Sequence, residues 1–197
     1  MSTRPTLVGE HITLRPLAER DRDVFVRIYT SAALTRYLGV DRMTREDAAA
    51  LFHKHIPRPG EDNPRHTFAL TLNDDDSMHG MIGLLVEGYG SNAMITGLVV
   101  IPSSPLRGHA IEAGRLVLVY AFGHLGLHRV WAGHRSDHVH MRRVMDGADL
   151  LPEATLHELF QTQGRWHDVT TYAALSAKWR ESASPREVAM LDGFVAV

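Results

Sequence analysis

At 197 residues, the chain is long enough for one domain with a buried core and short for two. Hydrophobic residues make up 44% and charged residues 22%, the balance of a globular protein in water, and with no cysteine the chain has no thiol nucleophile, disulfide or cysteine-held zinc. Lys+Arg number 21 against 23 Asp+Glu, so the net charge of −2 argues against a broad DNA-binding face. No apolar run nears the roughly 20 residues of a membrane helix. The opening MSTRPTLVGEH carries no signal-peptide core, so a cytoplasmic protein without membrane contact is expected.

In chain order, Val8 to Pro16 alternates Ile12 and Leu14 with polar neighbours and predicts a strand. From Ala18, the spacing of Phe25, Ile28 and Tyr29 predicts a helix. Thr44 followed by Glu46 and Asp47 marks a capped helix start before Ala48 to His53. Thr67 to Leu72 and His79 to Glu87 read as a hairpin around Asn73 to Ser77. Gly88 to Asn92 breaks the chain, and Met94 to Ile101 gives a further strand ended by Pro102. A helix is expected from Ala110 to His124, a strand over Arg129 to His134, a helix from Val139 to Gly147 and a closing strand from Trp166 to Ser176. Residues 1–179 are therefore taken as one domain. Residues 180–197 read as a tail of unassigned role, with a short helix near Glu187 to Leu191, and its deletion is expected to leave the fold intact.

Thirteen histidines raise the question of metal. His124 with His128, and His134 with His138 and then His140, have the spacing that puts two rings on one helix face. Gly126 and Leu127 interrupt the first pair and a strand end the second. No metal site is expected from them.

Leu98 to Ala110 passes from an apolar strand through a turn into a helix start. Gly108 allows close backbone approach, and Arg107 offers a fixed forked cation. Amide groups at a helix N-terminus hold anions, so this stretch is a candidate phosphate cradle. It is neither a Walker loop nor GxGxxG.

Pro-x-x-Pro-Leu-Arg-Gly-His-Ala-Ile-Glu-Ala113 resembles the acyl-CoA pyrophosphate loop of the GNAT superfamily of N-acetyltransferases, with Pro105 in place of the usual Arg or Gln. Thr6 to Leu17, Tyr120-Ala-Phe with Leu125 to Val130, and Trp166 to Leu175 with Lys178-Trp179 are similar to landmarks of its RimJ/RimL branch, in the same order. The resemblance implies an α/β fold, a mixed and mostly antiparallel sheet with splayed central strands flanked by helices. It implies acetyl-CoA or another acyl-CoA as co-substrate, with Leu98, Val99 and Val100 beside the pantetheine arm. Arg107, Gly108, His109, Ala110, His138 and Arg143 would meet the remainder. An amine would attack the thioester directly in a ternary complex. The acceptor would be a small molecule or a protein N-terminus, with Tyr29, Tyr37, Phe52, His53 and His55 as candidate lining. A homodimer is the default assembly.

Five further positions depart from the family pattern. Ile95 stands where a carboxylate is common, so Glu87 or Tyr89 is expected to serve as base. His138 and Met141 replace Asn and Ser, and Asp149-Leu150 replaces Gly-Phe. Met141 cannot donate a proton, which leaves His138, with an ordinary pKa of about 6.5, as the expected acid or CoA contact. Two other readings stay open at this level. One is a transferase fed by aminoacyl-tRNA or a carrier-protein thioester, met by Arg129, Arg135, Arg142 and Arg143. The other is a non-catalytic binding protein on the same fold.

Overall fold

The computed structural model describes residues 4–57, 63–88 and 91–195. Strands β1 (Leu7–Val8) and β2 (Ile12–Pro16) pair around a turn in which the Gly9 N–H donates to the Ile12 carbonyl at 2.8 Å. The expected single strand from Val8 is thus broken at Gly9 to His11. β3 (Arg65–Leu72), β4 (Gly80–Val86) and β5 (Asn92–Val100) add on antiparallel. β6 (Arg129–Arg135) lies parallel to β5, then β8 (Arg165–Leu175) and β7 (Leu151–Thr162) close the far edge antiparallel. The result is one eight-stranded sheet ordered β1-β2-β3-β4-β5-β6-β8-β7.

Alternation along the strands sorts the core into two layers. Phe68, Leu70, Ile82 and Leu84 face α4 (Ala110–Val119), whose Ala113, Leu116, Val117 and Leu118 are buried. Ala69 and Met81 face the opposite layer, α1 (Arg22–Thr30) and α3 (Arg45–His55), through Phe25, Ile28 and Phe52. A short α2 (Ala32–Thr35) follows α1. Arg15 fixes the entry to α1 by a buried bidentate pair with Asp21, at 2.7 and 2.8 Å. Thr44 caps α3 as its sequence predicts, accepting the Asp47 N–H at 3.1 Å.

The tail belongs to this core. After α5 (Val139–Gly147), β7 and β8, the chain forms α6 (Ser176–Ser182) and α7 (Pro185–Val195). Leu191 is 3% exposed within the α4 layer. Arg115 of α4 donates to Glu187 at 2.6 and 2.9 Å. Arg186 reaches the Gly9 carbonyl at 2.7 Å. α7 packs on α4 and on the Tyr120 to His124 turn that follows it, so the segment expected as a tail lies against the core, and its dispensability becomes a matter for truncation.

Candidate active site

The two central strands part early. β5 and β6 pair only from Asn92 to Met94 with Arg129 to Trp131, and beyond Ile95 no ladder joins them. On its other edge β5 stays with β4 but carries a bulge, since Thr96 pairs Gly83 and Val99 pairs Met81. Gly97 and Leu98 thus share one place opposite Ile82, and Gly97 takes φ +60, which a glycine adopts at little cost. Such a bulge releases backbone polar groups from the ladder beside the open gap.

Past the strand end, Ser104 accepts the Leu106 N–H at 3.0 Å, and Leu106 is fully buried, which pins the loop to the core. Gly108 stands at φ +107, and a side chain there would meet nothing within 4 Å. His109 is the N-cap of α4 without a side-chain cap bond. The start of α4 therefore faces open space across a residue with no side chain, a fit for a diphosphate.

Three adjoining cavities run from this loop through the gap. The first, about 440 Å³, is walled by Leu98, Val99, Val100, Arg107, Gly108, Ala110, Tyr37 and His138 among others. The second, about 200 Å³, shares Tyr37, Leu38, Leu98, His138 and Met141 with it and adds Ile95, Gly97 and His134. The third, about 250 Å³, shares Leu38, Thr96 and Gly97 with the second and ends at Tyr29, His55 and Arg65. Seven of the nine residues expected at a cofactor thus gather on one wall. His109 and Arg143 do not: the His109 N–H donates to the Leu106 carbonyl at 3.0 Å, its ring turns to Glu112, and Arg143 is exposed on α5.

The expected base and acid change position or character. Glu87 accepts from the Trp131 indole N–H at 3.2 Å and walls none of the three cavities, so its role as base has no geometric support. Tyr89 lies outside the described residues. His138 does face the first two cavities, stacked on Tyr37 with ring centroids 3.9 Å apart and planes 8° apart. Burial, helped by His134 and His140, pushes its pKa down to about 4. A neutral imidazole near pH 7 fits the CoA-contact half of the expectation better than the acid half.

The contacts of two wall residues were not legible in the sequence. Tyr37 meets His138 only through the fold, with Arg135 also over its ring at 5.1 Å. His134 is 7% exposed; its Nδ1–H donates to the Arg135 carbonyl at 2.8 Å, and its Nε2 has no protein partner. That assigns the Nδ1–H tautomer and leaves a bare acceptor beside the gap.

His55, bonded through Nδ1 to the Thr67 hydroxyl at 2.7 Å, is also pushed down by burial, to about 4. Unfolded histidine titrates near 6.5, so between pH 6.5 and 4 the unfolded chain binds more protons at His55 and His138 than the folded one. Stability from this source is complete above pH 6.5 and drains away as pH falls toward 4. Urea midpoints measured from pH 7 to 4.5 are expected to fall, and less steeply in His55→Gln. Parallel curves for the two proteins would contradict the burial of a neutral His55.

Similarity to known proteins agrees with this geometry. Residues 11–149 match the model of the acetyltransferase (GNAT) domain. The chain is 27% identical over 174 residues to the uncharacterized N-acetyltransferase YnaD of Bacillus subtilis, covering 86% of this chain and 99% of that one. It is 29% identical over 177 residues to the probable N-acetyltransferase YjcK of the same organism, covering 86% and 97%. Spermidine N-acetyltransferase from Vibrio cholerae, solved with CoA and spermine, shares the fold with a TM-score of 0.77 at 21% identity, over 87% of this chain and 99% of that one. A GNAT-family acetyltransferase from Bacillus anthracis superposes with a TM-score of 0.75 at 21% identity, over 88% and 99%. With the family model spanning most of the chain, its sheet parted between β5 and β6 and its glycine loop at the head of α4, this protein belongs to the GNAT family of N-acetyltransferases.

Proposed function

We propose that the cavities take acetyl-CoA from the Gly108 loop inward and that the acetyl group passes to a primary amine held in the third cavity. The observation that carries this reading is the order of the cavities: the first shares wall residues with the second, and the second with the third. Acetyl-CoA supplies a thioester carbon open to attack by an unprotonated amine. Backbone groups at Gly108 and Ala110, with Arg107, hold its diphosphate. The freed edge of β5 at Leu98 to Val100 bonds the extended amide arm as a strand would. His134 Nε2 gives one amide N–H an acceptor that the protein leaves unmatched. Holding both partners in one groove supplies much of the acceleration.

The third cavity also constrains the acceptor. Its described walls carry Leu38, Val40, Met43 and Leu51, one guanidinium from Arg65, and His55 held neutral at pH 7. An amine with an apolar or carboxylate-bearing remainder, including a peptide N-terminus, suits these groups better than a polycation. Free CoA released from acetyl-CoA by the purified protein, measured over a panel of such amines and spermidine, tests the reading. Turnover led by amines with apolar or carboxylate groups is expected. Acetyl-CoA binding with no release for any amine would overturn the transferase reading, and a clear preference for spermidine would overturn the acceptor assignment.

Arg107→Ala is predicted to weaken acetyl-CoA about tenfold at low salt, because the backbone donors of the loop remain. Calorimetric titration checks this. Unaltered affinity would place the guanidinium away from the diphosphate.

A further inference from the structure

On the reverse side of the Gly108 loop, three side chains from separate parts of the chain converge. His109 and Glu112 are one helical turn apart at the head of α4, so both point from one face. His11 arrives from the β1–β2 turn, 101 positions from Glu112 in the chain. Glu112 Oε2 lies 3.3 Å from His11 Nδ1 and 3.5 Å from His109 Nδ1. The two rings sit 4.9 Å apart between centroids. One ligand atom from each of the three residues falls within 4.8 Å of the other two.

We propose that His11, His109 and Glu112 form a binding site for one divalent metal ion of zinc type. Bonds of about 2.0–2.2 Å in a tetrahedral zinc site set neighbouring ligand atoms about 3.3 Å apart. The two nitrogen-to-oxygen distances here are close to that edge, and the ligand atoms of the two rings, which lie within 4.8 Å of each other, would close together around a seated ion. The carboxylate is already oriented, since its other oxygen accepts the His11 backbone N–H at 3.0 Å, the kind of outer contact that fixes a ligand. Gly9 makes room for it: a side chain at that position would come within 2.3 Å of Glu112 Oε1. Half the His11 ring is exposed, which leaves a coordination position open to water and to an entering ion.

Charges around the site are compatible with a cation. The positive end of α4 opposes one, and Glu112 in the first turn offsets it. Arg115 and Arg186 line the neighbouring cavity, but Arg115 is bound to Glu187 and Asp149, and Arg186 to the carbonyls of Val8 and Gly9. An ion there would clamp the β1–β2 turn to the helix that carries the loop. It would be structural and would sit apart from the groove, since neither His11 nor Glu112 walls any of the three cavities. The long chain separation is why histidine spacing gave no sign of it.

The test uses the full chain, stripped with a chelator and titrated with Co2+ as a spectroscopic probe and Zn2+ by calorimetry. One ion per chain is expected, with visible absorption of tetrahedral intensity and a raised thermal midpoint. His11→Ala, an exposed change outside the groove, should weaken binding by at least about tenfold, the lower end of what losing even an outer partner costs. Glu112→Gln should do the same with unchanged circular dichroism. Absence of a stoichiometric site would overturn the proposal. Binding retained in both variants would assign the ion to other histidines and overturn it equally.

Discussion

Gly108→Glu is expected to lower acetyl-CoA affinity at least about a hundredfold, or ~2.8 kcal/mol at 1.4 kcal/mol per decade, in a protein that remains folded. Two effects combine. At φ +107 any residue with a side chain is strained, at a cost on the order of 1–3 kcal/mol, so the loop would shift away from its binding shape. The new carboxylate would project where nothing lies within 4 Å, into the space the diphosphate needs. The position is exposed, so the core does not suffer. Gly108→Ala separates the two effects, since it keeps the strain and lacks the charge. Calorimetry on both variants is the measurement, and parental affinity in the glutamate variant would remove the loop from the cofactor site.

Truncation after Arg180 is predicted to destabilise the protein by at least about 4 kcal/mol, a large share of the 5–15 kcal/mol typical of a domain. Burial of Leu191 alone is worth about 1.5–3 kcal/mol. Arg115 would keep Asp149, at 2.5 Å, but lose both oxygens of Glu187. Glu187 is held below the usual carboxylate range by Arg115 and the Ser184 backbone and hydroxyl, against the opposing effect of burial. Leu191→Ala should reproduce about 2–5 kcal/mol of the loss by opening a cavity. Denaturant unfolding decides. A truncated chain with the parental midpoint and slope would show that α7 contributes nothing to the domain.

Local signals were legible where a single element or turn carries them. Val139 to Gly147 forms a helix over the bounds its spacing predicts, and Thr44 caps as its residue type requires. The Leu98 to Ala110 loop was also readable, because strand, glycine and helix start are consecutive in the chain. β7 was not, since it is an edge strand exposed at almost every position and shows no buried alternation to read. A bulge between Leu156 and Phe160, with Glu158 at φ +47, further breaks its period. α7 went unrecognised as core because its partners on α4 are some 70 positions earlier, as with Arg115 and Glu187. The same limit hid the Tyr37–His138 stack and the pKa of His138, which depends on burial that no spacing reveals. Asp149 adopts φ +59 where the family resemblance places a glycine; a short polar side chain tolerates that region, and Arg115 holds it there.

The bulge at Gly97 and Leu98 makes the residue count of β5 as binding as its composition. Before it, Ala93 and Ile95 contribute odd positions to the α4 layer; after it, Leu98 and Val100 contribute even ones, and Val99 turns to the α1 layer. The extra residue exchanges parity in mid-strand. Loss of Gly97 alone would restore a regular ladder in which Leu98, Val99 and Val100 keep their faces opposite Ile82, Met81 and Gly80, and would take away the bulge beside the parted strands.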